Sequence, residues 1–295
     1  MHQEGMKALL ERLRKSFDGI CDAEQIKKMN ASLNEFSEGI RKVTENLSLD
    51  FFTEEMKEYL LEVKNSEKLT QSDFEAKYSY EINICKQLGN AGWVVSEHSN
   101  PREVKEWYEL LSAGECEKII TYFEDENAYV MVDIMQGLEK KYDSEQPSQR
   151  YFSKAKQFFE QGEYMTSAMY LVALLDARTN TLMTFPKYTS NSAKYSTKGF
   201  ENHLQKEFSK TDGFFTKRFL FLDMYPSIIE FLKRLFVDGI YTFESGNEPP
   251  YVNRNWVLHG RSRREVEKYE CVQLFNALSV IEFVFSISER LNNDK

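Results

Sequence analysis

An arginine and a histidine five positions apart, with an asparagine directly after the arginine, make Asn253-Arg254-Asn255-Trp256-Val257-Leu258-His259-Gly260 the stretch best equipped for chemistry. A guanidinium grips a phosphate or carboxylate through parallel N–H bonds, and an imidazole moves protons near neutral pH. The pair offers charge stabilisation and general acid–base catalysis on an oxyanion substrate. Arg261, Arg263 and Arg264 follow, so four arginines fall within eleven residues with no acid between them. Ser262-Arg263-Arg264-Glu265 has the form of a capping box and predicts a helix from there to about Leu291. His259 is then expected just ahead of a helix N-terminus, where N–H groups and the dipole favour an anion and disfavour a protonated imidazole. The structural alternative is an arginine capping a neighbouring helix and a histidine satisfied by backbone.

The elements that must position these residues read as helices. The chain has 295 residues, 41% hydrophobic and 14% aromatic, enough for two domains with real cores. Apolar residues recur at helical spacing over 5–47, 53–64 and 72–90, the last with Gly89 as its terminator. Further helices are expected near 102–112, 114–124 and 127–142. Gly92-Trp93-Val94-Val95-Ser96 alone has strand character and is too short to imply a sheet. Asp143-Ser144-Glu145-Gln146-Pro147-Ser148 has linker composition, which divides the chain into an N-terminal helical domain, 1–147, and a C-terminal one, 148–295. In the second, helices are expected over 150–161, 163–185 ending at Pro186, and 226–243 with Pro226 in the first turn. Residues 187–213 form a polar and aromatic insertion. Asn247-Glu248-Pro249-Pro250 breaks helices, so 244–261 reads as a connection.

A net charge of −9 and a pI near 5.2 argue against a surface that coats nucleic acid, while leaving room for a local basic site. Cys21, Cys85, Cys116 and Cys271 are far apart in sequence and lack metal-ligand spacing, so free thiols in a reducing compartment and no structural zinc are expected. There is no signal-peptide pattern and no run of 18 apolar residues, which predicts a soluble, cytoplasmic protein with no membrane partner. His98 lies in a polar loop and is expected to be solvated or structural; His203 is expected to be exposed. The chain contains no phosphate-binding glycine loop, dinucleotide fingerprint, zinc-protease motif or serine-hydrolase elbow.

One further residue stands out. Asp176 interrupts the apolar run Met169 to Leu175 in mid-helix and, with Asn180 one turn on, makes a small polar face. A carboxylate at that depth is costly unless paired, so an arginine or histidine partner is expected. That partner is either the Arg254 and His259 site or simply Arg178 or a surface lysine.

The motif Arg254-Asn255-Trp256-Val257-Leu258-His259, an R-x4-H with a polar residue after the arginine at the head of the last of four helices, resembles the HEPN superfamily. The resemblance covers about residues 150–292. It implies an all-α chain whose C-terminal half is a four-helix up-and-down bundle. It further implies a ribonuclease that needs no metal or cofactor, acting in phage defence or as a toxin and leaving a 2′,3′-cyclic phosphate and a 5′-OH. Under it His259 serves as acid or base, Arg254 clamps the scissile phosphate, and Asn255 positions phosphate or 2′-OH. Asp176 orients Arg254 or His259, and Arg261, Arg263 and Arg264 hold flanking phosphates. The expected partners are RNA, a second copy of the chain docked through the C-terminal bundle, and an antitoxin or phage-derived protein. Trp256, Val257 and Leu258 belong either to that interface or to their own core. The alternative function is a non-catalytic HEPN module that binds RNA, a nucleotide or a protein.

Overall fold

The computed structural model describes residues 69–124, 130–143, 147–179, 201, 208, 211, 217–237 and 247–293, with side chains through Ser286. The helices expected over 5–64, Asn180, His203, Cys21 and nearly all of the 187–213 insertion lie outside these residues. Of the described chain 77% is helical and none is strand, so the all-α class holds.

Helix α1, Gln71–Lys77, is capped by Thr70 and leads into α2, Ser79–Ala91. Gly92, at φ 102°, takes the left-handed C-cap that the sequence reading gave to Gly89. Gly89 instead lies inside the last turn, where a Cβ would stand 2.0 Å from the Ser227 carbonyl oxygen. It is small because another helix presses on it. Trp93, Val94, Val95 and Ser96 then run non-helically through the interior, all of them buried. Asn100 and Glu103 form a full capping box for α3, Pro101–Ser112. A 3-10 turn, Cys116–Ile120, precedes α4, Thr121–Glu124, and α5, Val130–Tyr142.

Helices α6, Ser148–Glu160, and α7, Tyr164–Thr179, form an antiparallel hairpin. A π-helical turn, Arg218–Met224, runs into α8, Tyr225–Leu235, with Pro226 in its first turn as expected. A single turn, α9, Arg254–Leu258, and the long α10, Lys268–Asn293, complete the described chain.

Among the described residues, helix α10 packs against α5, α7 and α8. Its apolar residues from Cys271 to Val284 are buried around most of its circumference, as a helix enclosed by others requires. Every third position is nonetheless polar, and each of these side chains has a partner. Glu270 accepts from Arg264, Gln273 donates to the Ala91 carbonyl, and Asn276 donates to the Val94 carbonyl. Ser279 donates to Glu97, and Glu282 receives Arg178 and the Tyr142 hydroxyl. Hydrogen bonds from α10 therefore take up the Ala91 and Val94 carbonyls of the chain leaving α2, which has no strand partner among the described residues, while Ser227 Oγ on α8 accepts the Val95 N–H.

Two features of the expected bundle differ. The most extensive neighbour of α8 is α2, across the Gly89–Ser227 approach, and not another helix of the C-terminal half. Buried residues from Phe74 to Val284 also form one cluster, so the chain on either side of 143–148 shares a core. His98 is packed, with a side chain 9% exposed and its Nε2 3.6 Å from Glu97 Oε1, so the structural reading of this residue holds and the solvated one does not.

Candidate functional site

Asn253, just 1% exposed, begins the motif. Its Oδ1 accepts the backbone N–H groups of Asn255 and Trp256 at 3.0 and 3.4 Å, the N-cap arrangement that starts a helix. Its Nδ2 donates to the Val237 carbonyl at 3.2 Å, fastening the turn to the chain that leaves α8. Trp256 and Val257 are buried in this chain's own fold, which settles their place there, and Leu258 is half-buried.

Arg254 projects toward α7. Its Nη2 donates to Asp176 Oδ2 at 3.1 Å and its Nη1 to Asn255 Oδ1 at 2.9 Å. Asn255 in turn donates from Nδ2 to the Val237 carbonyl at 3.4 Å. The guanidinium is thus held in one plane by a carboxylate on one side and an amide on the other, while its side chain stays 31% exposed. These bonds use two of the five N–H groups an arginine carries, and the Nε–H is buried without a partner. The partner expected for Asp176 is therefore Arg254. Arg178, the alternative, is committed to Glu282 on α10.

His259 occupies a different setting from the expected one. It is the C-cap of α9, and Gly260, at φ 63°, turns the chain back. Gly260 N–H bonds to the Val257 carbonyl and Arg261 N–H to the Trp256 carbonyl, the paired bonds of a Schellman ending. The imidazole is exposed at the carbonyl end of a single turn, not ahead of a helix N-terminus. Five helical positions turn through about 140°, so Arg254 and His259 leave α9 on different sides.

The expected capping box at Ser262 is also absent, because α10 starts at Lys268. Ser262 Oγ donates to Glu248 Oε1 at 2.5 Å, and Arg263 N–H donates to Glu248 Oε2 at 2.8 Å. The carboxylate that organises the start of α10 is Glu270, which accepts the Glu267 N–H at 3.0 Å and both Nη groups of Arg264 at 2.8 and 2.5 Å. Arg264 is therefore turned inward onto a carboxylate only 1% exposed, whereas Arg261 and Arg263 are exposed.

Of the residues singled out from sequence, Arg254, Asn255 and Asp176 converge. His259, Arg261 and Arg263 lie on the exposed loop that continues from them, and Arg264 belongs to a partly buried ion pair. Asn253 and Glu248 are positioning groups that the sequence reading missed, and Ser262, expected as a helix cap, holds Glu248 instead. An asparagine directly ahead of a helical turn was a legible signal for the first; the Ser262–Glu248 pairing spans fourteen residues and left none.

Among the described residues no three His, Cys, Asp or Glu side chains gather as metal ligands, and no helix is long and apolar enough to cross a membrane. Comparison of the chain with protein-family models, with curated proteins and with solved structures returned no match.

Proposed function

We propose that the chain is an endoribonuclease of HEPN type that cleaves RNA by attack of the 2′-OH on the adjacent phosphate, with no metal in the reaction. The observation that carries the reading is Arg254, held by Asp176 and Asn255 yet partly exposed, with the exposed His259 at the end of the same short turn. RNA brings its own nucleophile. The site need only remove the 2′-OH proton, protonate the 5′-leaving oxygen and stabilise charge on the phosphate. His259 handles the protons, and Arg254 offers its remaining outer N–H groups to the phosphate oxygens without having to order a flexible side chain first. Asn255 and Asp176 position the guanidinium; Arg261 and Arg263 hold neighbouring phosphates. Defence against phage, or a toxin's role opposite an antitoxin, is the setting that the resemblance suggests.

A symmetric pair of chains completes the chemistry. One R-x4-H supplies one imidazole, whereas transesterification gains from both a base and an acid, and a two-fold dimer provides the second. Two sets of exposed arginines then face one groove and give an acidic protein a local positive potential.

A second reading, a non-catalytic module that binds an anionic partner, is favoured by Arg264 being spent on Glu270 and by the separate directions of Arg254 and His259. The test is incubation of the purified chain with mixed RNA in EDTA. Cleavage by the native protein, lost in both Arg254→Ala and His259→Ala, supports the enzyme. Cleavage that survives His259→Ala removes the imidazole from the mechanism, and RNA binding without cleavage favours the module.

A further inference from the structure

We propose that the Ser262–Arg263 loop is a phosphate-binding subsite occupied by the chain's own Glu248, which an incoming polyanion displaces. Ser262 Oγ and the Arg263 N–H each donate to a different oxygen of the Glu248 carboxylate, at 2.5 and 2.8 Å. A hydroxyl and a main-chain N–H aimed at two oxygens of one anion present the same donors that phosphate oxygens accept. The cationic surroundings suit a charge larger than one carboxylate. Arg264 lies close enough to Glu248 to be stabilised by it while its guanidinium stays locked on Glu270, and Arg261 and Arg263 are exposed on the same loop.

Glu248 is suited to leave. It precedes Pro249 and Pro250, which cannot donate backbone hydrogen bonds to hold it. The Arg263 bond lies at the exposed surface, so an anion reaches it from solvent. When Glu248 withdraws, the Ser262 hydroxyl and the Arg263 N–H lose their acceptor, and a phosphate bridging them restores both bonds. Glu248 thereby acts as an internal competitor that lowers apparent anion affinity by the fraction of time it fills the site.

This inference rests on the anion-binding reading of the arginine loop and not on cleavage. It is tested by calorimetric titration of the full chain with inorganic pyrophosphate. Glu248→Gln, which keeps the side chain's shape and removes its charge, should bind about tenfold more tightly than the native chain. Adding Ser262→Ala to that variant should return most of the gain. Unchanged or weaker binding by Glu248→Gln overturns the proposal, and a lowered melting temperature alongside would show that Glu248 only braces the loop. Absence of binding by every variant at millimolar pyrophosphate overturns it as well. Tighter binding by Glu248→Gln in a chain that cuts no RNA would defeat the ribonuclease reading and leave this one standing.

Discussion

At the scale of single residues, the site separates groups that hold from groups that are held. Asp176→Asn would leave Arg254 without its carboxylate in a half-buried place, so we expect a stability loss of about 1–3 kcal/mol together with reduced cleavage. His259→Ala, at an exposed cap, should lose cleavage while shifting stability by no more than about 0.5 kcal/mol. Melting curves and an RNA assay on the same samples separate the two behaviours. Asp223 gives a pH test remote from the site. Burial between α2 and the π-helical turn, where it accepts from the Cys85 thiol at 4.0 Å, pushes its carboxyl up to about 7. A carboxyl raised on folding binds its proton more tightly in the native state, so stability falls as pH rises from the unfolded value, about 4, to about 7. Asp223→Asn should therefore raise the melting temperature at pH 8, by a free energy on the order of 4 kcal/mol, and change it little at pH 4. Equal effects at both pH values would contradict the assignment.

At the scale of elements, periodicity made most helices legible, because burying one face of a helix needs a repeat near 3.6 residues. The capping signals were less reliable where a distant group competed. Ser262 satisfies the local capping pattern and still bonds to Glu248, fourteen residues back, so the helix begins at Lys268 and not at Arg263, five residues later than its sequence suggests. Gly89 has the residue type of a terminator, but its smallness is used against Ser227 on α8. No single-chain pattern shows that contact. Asp176 was legible in kind, as a carboxylate that needed a cation, yet its choice of Arg254 over Arg178 depends on how α7 is rotated between α9 and α10. Gly89→Ala tests the close helix approach directly. A methyl group there meets backbone that cannot swing aside, so a loss above about 1–3 kcal/mol is expected by chemical denaturation. Glu282→Ala should cost about 1–3 kcal/mol, since it removes the buried carboxylate to which Arg178 and the Tyr142 hydroxyl both donate.

At the scale of the whole molecule, the fold gathers two stretches of helices around α10, and the motif turn α9 is fastened to α7 through Arg254 and to the end of α8 through Asn253 and Asn255. An acidic body with arginines concentrated at one loop should bind RNA weakly and lose that binding only gradually with salt, the shallow slope reporting the few phosphates held. The proposed dimer predicts twice the chain mass in solution at micromolar concentration, and mixing Arg254→Ala with His259→Ala subunits should restore some cleavage if each chain lends a group to its partner's site. The central claim is that the 2′-OH of RNA is the nucleophile, and it is tested most directly with a short oligonucleotide cut at one mapped position. A single 2′-deoxy substitution at that position should abolish cleavage there, and the unsubstituted strand should yield a 2′,3′-cyclic phosphate and a 5′-OH. Cleavage of the deoxy strand at an undiminished rate, or products ending in a 5′-phosphate, would contradict it.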